Sequence, residues 1–399
     1  MNQPLPDSID AELPRPGGWA HLALLILAIE NTVRHPLRLF VTLACLIAVV
    51  TPFTVGLAIL QGVKHEALQA LDAGPDLFIT GYEQGRNISM PQAVARHVRT
   101  LHQAVRVQGR IVGRTNVGPH LITLVGLDPE GGEPVPSRGN VWLGFSMAQS
   151  LQVKEGDTLI LEDMSQITLN VDKILQKNAG LAAARMGIVR LSDAQELFAT
   201  PDRLSDLQIW VNDPLDRQGP AGNSEPGLPI AFQLRLTGIP LRIQTRKLAS
   251  DYVNRGFGLK GGTFYALFLV AFALVIPALL VTSGFGLSVR RKEIALMKAI
   301  GFSVLDILEM AFFEVIYLSM MASTASFAFA WAWIRIFEGA GVAPFFIAGL
   351  ELGPNIPVPA IFQPLPLFVS IGLSLVLLST GVMSTTFQAA TSDPTEDLR

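Results

Sequence analysis

The stretch Ser288–Met310, SVRRKEIALMKAIGFSVLDILEM, gathers charge between two long apolar runs. Val289, Ile294, Met297 and Ile300 recur at the steps of one helical face, while Arg290, Arg291, Glu293 and Lys298 fall mostly elsewhere. Gly301 suits a left-handed C-cap, and Ser303 with Asp306 three residues on is a capping-box start for a new helix. These groups carry out no covalent chemistry. What they can do is pair charges and dock. On pattern alone the stretch reads equally as an ordinary positive-inside loop or as an amphipathic helix at a membrane surface, offered to another protein.

Elsewhere the residue types that do chemistry are scattered. His65, His97, His102 and His120 show no metal-ligand spacing, which favours solvated histidines over a metal site. No GxSxG, HExxH or phosphate-cradling G-x-x-x-x-G-K-[ST] run occurs. The expectation is therefore no catalytic residue, no metal and no cofactor in this chain, and no residue assignable to a substrate. A net charge of −3 gives no reason to expect nucleic acid as a partner. The single cysteine, Cys45, excludes an intramolecular disulfide.

The elements that must position the charged stretch are apolar. Half of the 399 residues are hydrophobic, only 16% are charged, and mean hydropathy is +0.41. Four transmembrane spans are expected at 39–62, 263–287, 304–336 and 365–390. Pro52 and Pro277 sit inside the first two as helix kinks, and Pro52 reads as a packing kink or a gating one. Glu309 and Glu314 lie in the third. An acid at Glu314 is expensive in lipid, and reads equally as a coupling group or as an interhelical hydrogen-bond partner.

Residues 1–18 are expected to be a disordered tail, with no basic n-region for a signal peptide. Residues 19–38 read as an interfacial helix. Residues 63–260 return to globular composition, with strand candidates at 76–81, 105–112, 121–126, 158–162, 187–191 and 207–211. Helix candidates at 90–101, 145–151 and 192–198 make this domain α+β, and the Pro/Gly-rich run at 212–230 reads as a loop or lobe linker. A loop at 337–364, free of Lys and Arg from 338 onwards, and a short tail at 391–399 complete the chain. Short basic segments (Arg34 and Arg38, then Arg290, Arg291, Lys292 and Lys298) put both termini and the 288–303 helix in the cytoplasm and the large domain outside.

RRKEIALMKAIGFSVLDILEMAFFEVIYL resembles the signature of FtsX/MacB-type ABC permeases, an R-x-x-E-I-x-x-L-(K/R)-x-x-G core followed by an intramembrane Glu. Arg290 or Arg291, Glu293, Ile294, Met297, Lys298, Gly301 and Glu314 carry it, with Met297 where Leu is commoner. Asn31, Arg34, His35, Pro36 and Arg38 fit an "N-x-x-R-H-P-x-R" start, and AGPDLFITG, LITLVGLDP and WLGFSMAQSLQVKEGDTLIL resemble phrases of the family's outer domain. Pro394, Glu396, Leu398 and Arg399 resemble its ending.

The resemblance implies a four-span helical permease of a bacterial inner membrane with a large extracytoplasmic domain. ATP and Mg are expected on a separate cytoplasmic ATPase that docks on the 288–303 helix. A second permease subunit, identical or paralogous, is implied, as are lipid contact and a periplasmic adaptor or effector. The function implied is mechanotransmission that extracts or exports a hydrophobic or amphiphilic substrate. Two alternatives stay open: a non-transporting mechanotransmitter that regulates a periplasmic enzyme, and a membrane-anchored ligand sensor. The short tail counts against the sensor, because it leaves no room for a signalling module.

Overall fold

A computed structural model describes residues 18–101, 104–118, 120–176, 179–181, 183–211, 240–284, 287–347 and 358–391. His102, the 212–230 run, the ends of both tails and part of the 337–364 loop lie outside them. So do the side chains of Arg38, Pro277, Val289, Arg290 and Arg291, although their backbones are helical.

Apolar length dictates the long helices. Helix α1 is Gly18–Arg34, and α2 is Pro36–Asp72. The break falls at His35, earlier than the expected 38, because Pro36 lacks an N–H and its fixed φ suits the first position of a helix. Helix α2 passes through Pro52 and outlasts the expected span by ten residues, ending in the polar turns that follow Gln61.

Three short helices follow: α3 (Ala93–Arg99), α4 (Phe145–Leu151) and α5 (Leu191–Leu197). Helix α6 covers Arg246–Gly284, and α7 (Leu287–Ile300) is the charged stretch. Next come α8 (Val304–Phe337), the single turn α9 (Ala343–Phe346) and α10 (Pro364–Thr391). By length and composition, two described helical stretches suffice to cross a membrane, Leu39–Asp72 and Arg246–Leu274, with a shorter apolar one at Pro366–Thr380.

The chain divides into two compact units. The first comprises Met1–Leu57, Phe264–Ala332 and Phe362–Arg399; the second comprises Ala58–Thr263 and Trp333–Ile361. In the first, Phe53 gathers the rings of Phe264, Tyr265, Phe268 and Phe272. Gly56 makes that approach possible, since a Cβ there would lie 2.0 Å from the Phe264 ring.

The second unit is built on strands β1 (Leu77–Glu83), β2 (Arg86–Ile88), β4 (Ala104–Val117), β5 (His120–Leu127), β6 (Asn140–Leu143), β7 (Thr158–Glu162), β8 (Gln166–Ile174), β9 (Met186–Arg190), β11 (Asp206–Val211) and β12 (Leu241–Thr245). Their order is β12-β1-β11-β4-β5-β9-β6-β8-β7, with β2 paired to β1. Strand β7 returns to β4 through Asn116 and Glu162, so the six strands from β4 to β7 close on themselves and leave no edge between them. A two-stranded ladder joins β3 (Met90–Pro91) to β10 (Arg203–Leu204). Outward and inward residues alternate along β7 and β8 as period two requires, and the inward Leu159, Leu161, Ile167, Leu169 and Val171 enter one core with α3, α4 and α5.

Candidate coupling site

All of the following lies in the first unit. Helix α7 ends as its sequence dictates. Gly301 sits at φ +106°, its N–H donates to the Lys298 carbonyl at 3.1 Å, and the Phe302 N–H reaches back to Met297 O at 3.1 Å. Those two bonds are the Schellman pair, and Met297 and Phe302, at the positions whose apolar groups accompany it, both pack on Ile294 and Ile307. Two residues on, the chain restarts. The Ser303 N–H donates to Asp306 Oδ2 at 2.9 Å, and the Asp306 N–H donates to Ser303 Oγ at 3.2 Å. This reciprocal capping box fixes the angle between α7 and α8 over five residues.

That turn decides which face of α7 is free. Ile294 is buried against Ile307, with Met297, Phe302 and Val304 packed on them. The expected apolar stripe is therefore divided. Ile294 and Met297 hold α7 to the start of α8, whereas Ile300 is 70% exposed. Leu296 (58%) and Leu305 (77%) are exposed beside it, and Lys292 is exposed one turn before Leu296. Leu296 and Leu305 carry no sequence signal of their own, because period alone does not say which apolar residue the turn will cover.

Two acids, Glu293 and Glu309, are tied to α1 and its junction with α2. Glu293 Oε1 lies 3.3 Å from His35 Nε2, at the break before Pro36. Glu309 pairs with His21 Nδ1 of α1. Helix α1 itself buries Leu24, Ala28 and Thr32 at four-residue steps, and the Thr32 hydroxyl donates to Ala28 O at 2.8 Å. His21 and Thr32 emerge only from the fold, since their partners are set by packing.

Glu314 is 4% exposed and lines a cavity of about 20 Å³, room for a water molecule, with Asn31, Thr32, His35, Thr42 and Leu318 around it. The two expected intramembrane acids therefore differ. Glu314 is enclosed by protein, while the Glu309 side chain stays 29% exposed beside His21. Pro52 lies within α2 and Pro277 within α6. No group of three or more potential metal ligands occurs among the described residues.

Similar solved structures include the periplasmic region of MacB from Actinobacillus actinomycetemcomitans, at 12% identity and a TM-score of 0.35, covering 47% of this chain and 97% of that one. The extracellular domain of the noncanonic ABC-type transporter YknZ from Gram-positive bacteria is 11% identical at a TM-score of 0.32, covering 43% and 99%. No curated protein matches the sequence. Residues 265–394, which include α7, the Gly301 turn that ends it, the capping box that opens α8, Glu309 and Glu314, match the FtsX-like permease C-terminal family model.

Proposed function

We propose that this chain is the permease subunit through which a separate cytoplasmic ATPase drives an extracytoplasmic domain, extracting or exporting a hydrophobic or amphiphilic substrate. FtsX-like permeases are membrane components of ABC transporters, with the ATPase on another subunit. In this reading α2, α6, α8 and α10 are four spans; the last two are 34 and 28 residues long, beyond the ~20 that a bilayer requires. Both termini and α7 lie on the cytoplasmic side, α1 lies along the inner surface, and residues 63–260 face outward. Arg290, Arg291, Glu293, Lys298 and Gly301 shape the coupling segment, and ATP with Mg belongs to the partner.

One observation carries the docking assignment. A helix capped at its end and pinned by Ile294 presents Lys292, Leu296, Ile300 and Leu305 outward, an apolar strip with a cation at its rim. Docking energy in such an interface comes from a few desolvated apolar anchors. Glu293 is engaged with His35, so it supports the helix more than it meets the partner.

The test is co-purification in mild detergent with a co-expressed ABC-type ATPase from the same genome. Leu296→Asp with Ile300→Asp should abolish ATPase recovery while leaving the amount of membrane-inserted permease unchanged; Glu293→Lys should weaken recovery less. Full recovery with the double variant would remove α7 as the docking element.

A further inference from the structure

Asp76 sits in AGPDLFITG, between the end of α2 and β1, and is 1% exposed. A carboxylate so deeply enclosed is held there by specific partners. Its Oδ1 lies 2.9 Å from Arg246 Nη2, and its Oδ2 accepts the Val211 N–H at 2.9 Å. Arg246 is the first residue of α6, immediately after β12.

The same guanidinium turns back over the chain leaving α2. Nη2 donates to Gly74 O at 2.7 Å and Nε to Pro75 O at 3.4 Å. The backbone adds two ties, Arg246 N–H to Asp76 O and Asp76 N–H to Ile209 O, both 2.9 Å. Strands β1 and β12 run side by side from there, Leu77 opposite Thr245. One buried ion pair thus joins the chain leaving α2, the start of α6, and the edge of the sheet.

We propose that Asp76 and Arg246 form a clasp, a positioning pair that makes the outer ends of α2 and α6 move with β1, β11 and β12 as one piece. The proposal rests on the mechanotransmission reading above. A displacement carried along two helices reaches a domain only if their ends cannot splay independently of it. The guanidinium suits that duty better than an ammonium, because its planar fork donates to two carbonyls while its delocalised charge lies against the carboxylate.

The test uses the full chain with its co-expressed ATPase in lipid nanodiscs, in a Cys45→Ser background. Spin labels at Gln69→Cys and Lys247→Cys, both exposed and flanking the clasp, report the separation of the two helix ends. Hydrogen exchange of the Leu241–Thr245 segment, with and without trapped ATP, reports whether the nucleotide signal arrives. With the clasp intact, the distance distribution should be narrow and exchange should change on ATP trapping.

Asp76→Asn and Arg246→Gln should broaden the distribution and abolish the ATP-dependent change while hydrolysis continues, and Arg246→Lys should retain part of it. If a single variant does not fold, the pair Asp76→Asn with Arg246→Gln leaves no uncompensated buried charge and carries the same prediction. Folded variants with a narrow distribution and an unaltered ATP response would overturn the clasp and leave the mechanotransmission reading standing. A wild-type protein without any ATP-dependent change would overturn that reading, and the clasp with it.

Discussion

Gly301 shows what one residue contributes to the coupling segment. At φ +106° only glycine is free of Cβ strain, and the two bonds that close α7 depend on that conformation. Gly301→Ala should cost about 1 kcal/mol locally, which speeds hydrogen exchange at Phe302 by about fivefold. An unchanged rate would mean that the Schellman bonds do not hold the turn. Such local chemistry is what a sequence displays well: Gly301, Ser303 and Asp306 lie within six residues, and their partners are their chain neighbours. The contacts of Glu293 with His35 and of Glu309 with His21 span 258 and 288 residues. Nothing in spacing announces them, because they depend on which helices pack together.

Among the elements, α2 and α6 meet through glycine and rings. Phe53 stacks on Phe264 with centroids 6.1 Å apart, above the gap that Gly56 leaves. Gly56→Ala would overpack that contact by about 1–3 kcal/mol, and Phe264→Leu should relieve part of the cost. The check is the temperature at which half of the solubilised protein stays soluble, measured for both single variants and the double. Independent, additive shifts would show that Gly56 and Phe264 do not meet.

The legibility of elements follows the same physics. Strand β7 and helix α4 fall on the expected residues, 158–162 and 145–151, because alternation and helical period are strong over those short spans. Strand β8 alternates just as regularly, with Ile167, Leu169 and Val171 inward and Gln166, Thr168 and Asn170 outward, so its period is legible although no strand is expected there. Helix α3 begins at Ala93, later than 90, because Met90 and Pro91 pair with β10. The extra length of α2 is invisible to a count of apolar residues, since its last two turns are amphipathic.

At the scale of the whole molecule, α6 raises the question of what covers it. Leu248, Tyr252 and Leu259, four and seven residues apart, project outward with Arg255 at the intervening position of a heptad-like seam. Gly256, Gly258 and Gly262 have open space where a Cβ would stand, so a second helix could approach closely. A helix long and apolar enough to cross a membrane is only 17% buried over its apolar window, against 61% for α2. In the proposed topology lipid covers α6 from 263 onwards, whereas the seam at 248–259, with Asp251 and Arg255, stands outside the bilayer, where a large exposed Tyr and two Leu call for protein. A second permease subunit at this seam is the occupant consistent with the proposed function. In a Cys45→Ser background, Tyr252→Cys should cross-link to itself in intact membranes under mild oxidation. Glu155→Cys, exposed in the sheet unit, should not. Cross-linking from both positions would indicate random collision. Efficient cross-linking of Tyr252→Cys only to a co-expressed paralogous permease that carries its own cysteine at the matching seam position would make the assembly a heterodimer, and its absence in both cases would leave the α6 seam to an adaptor.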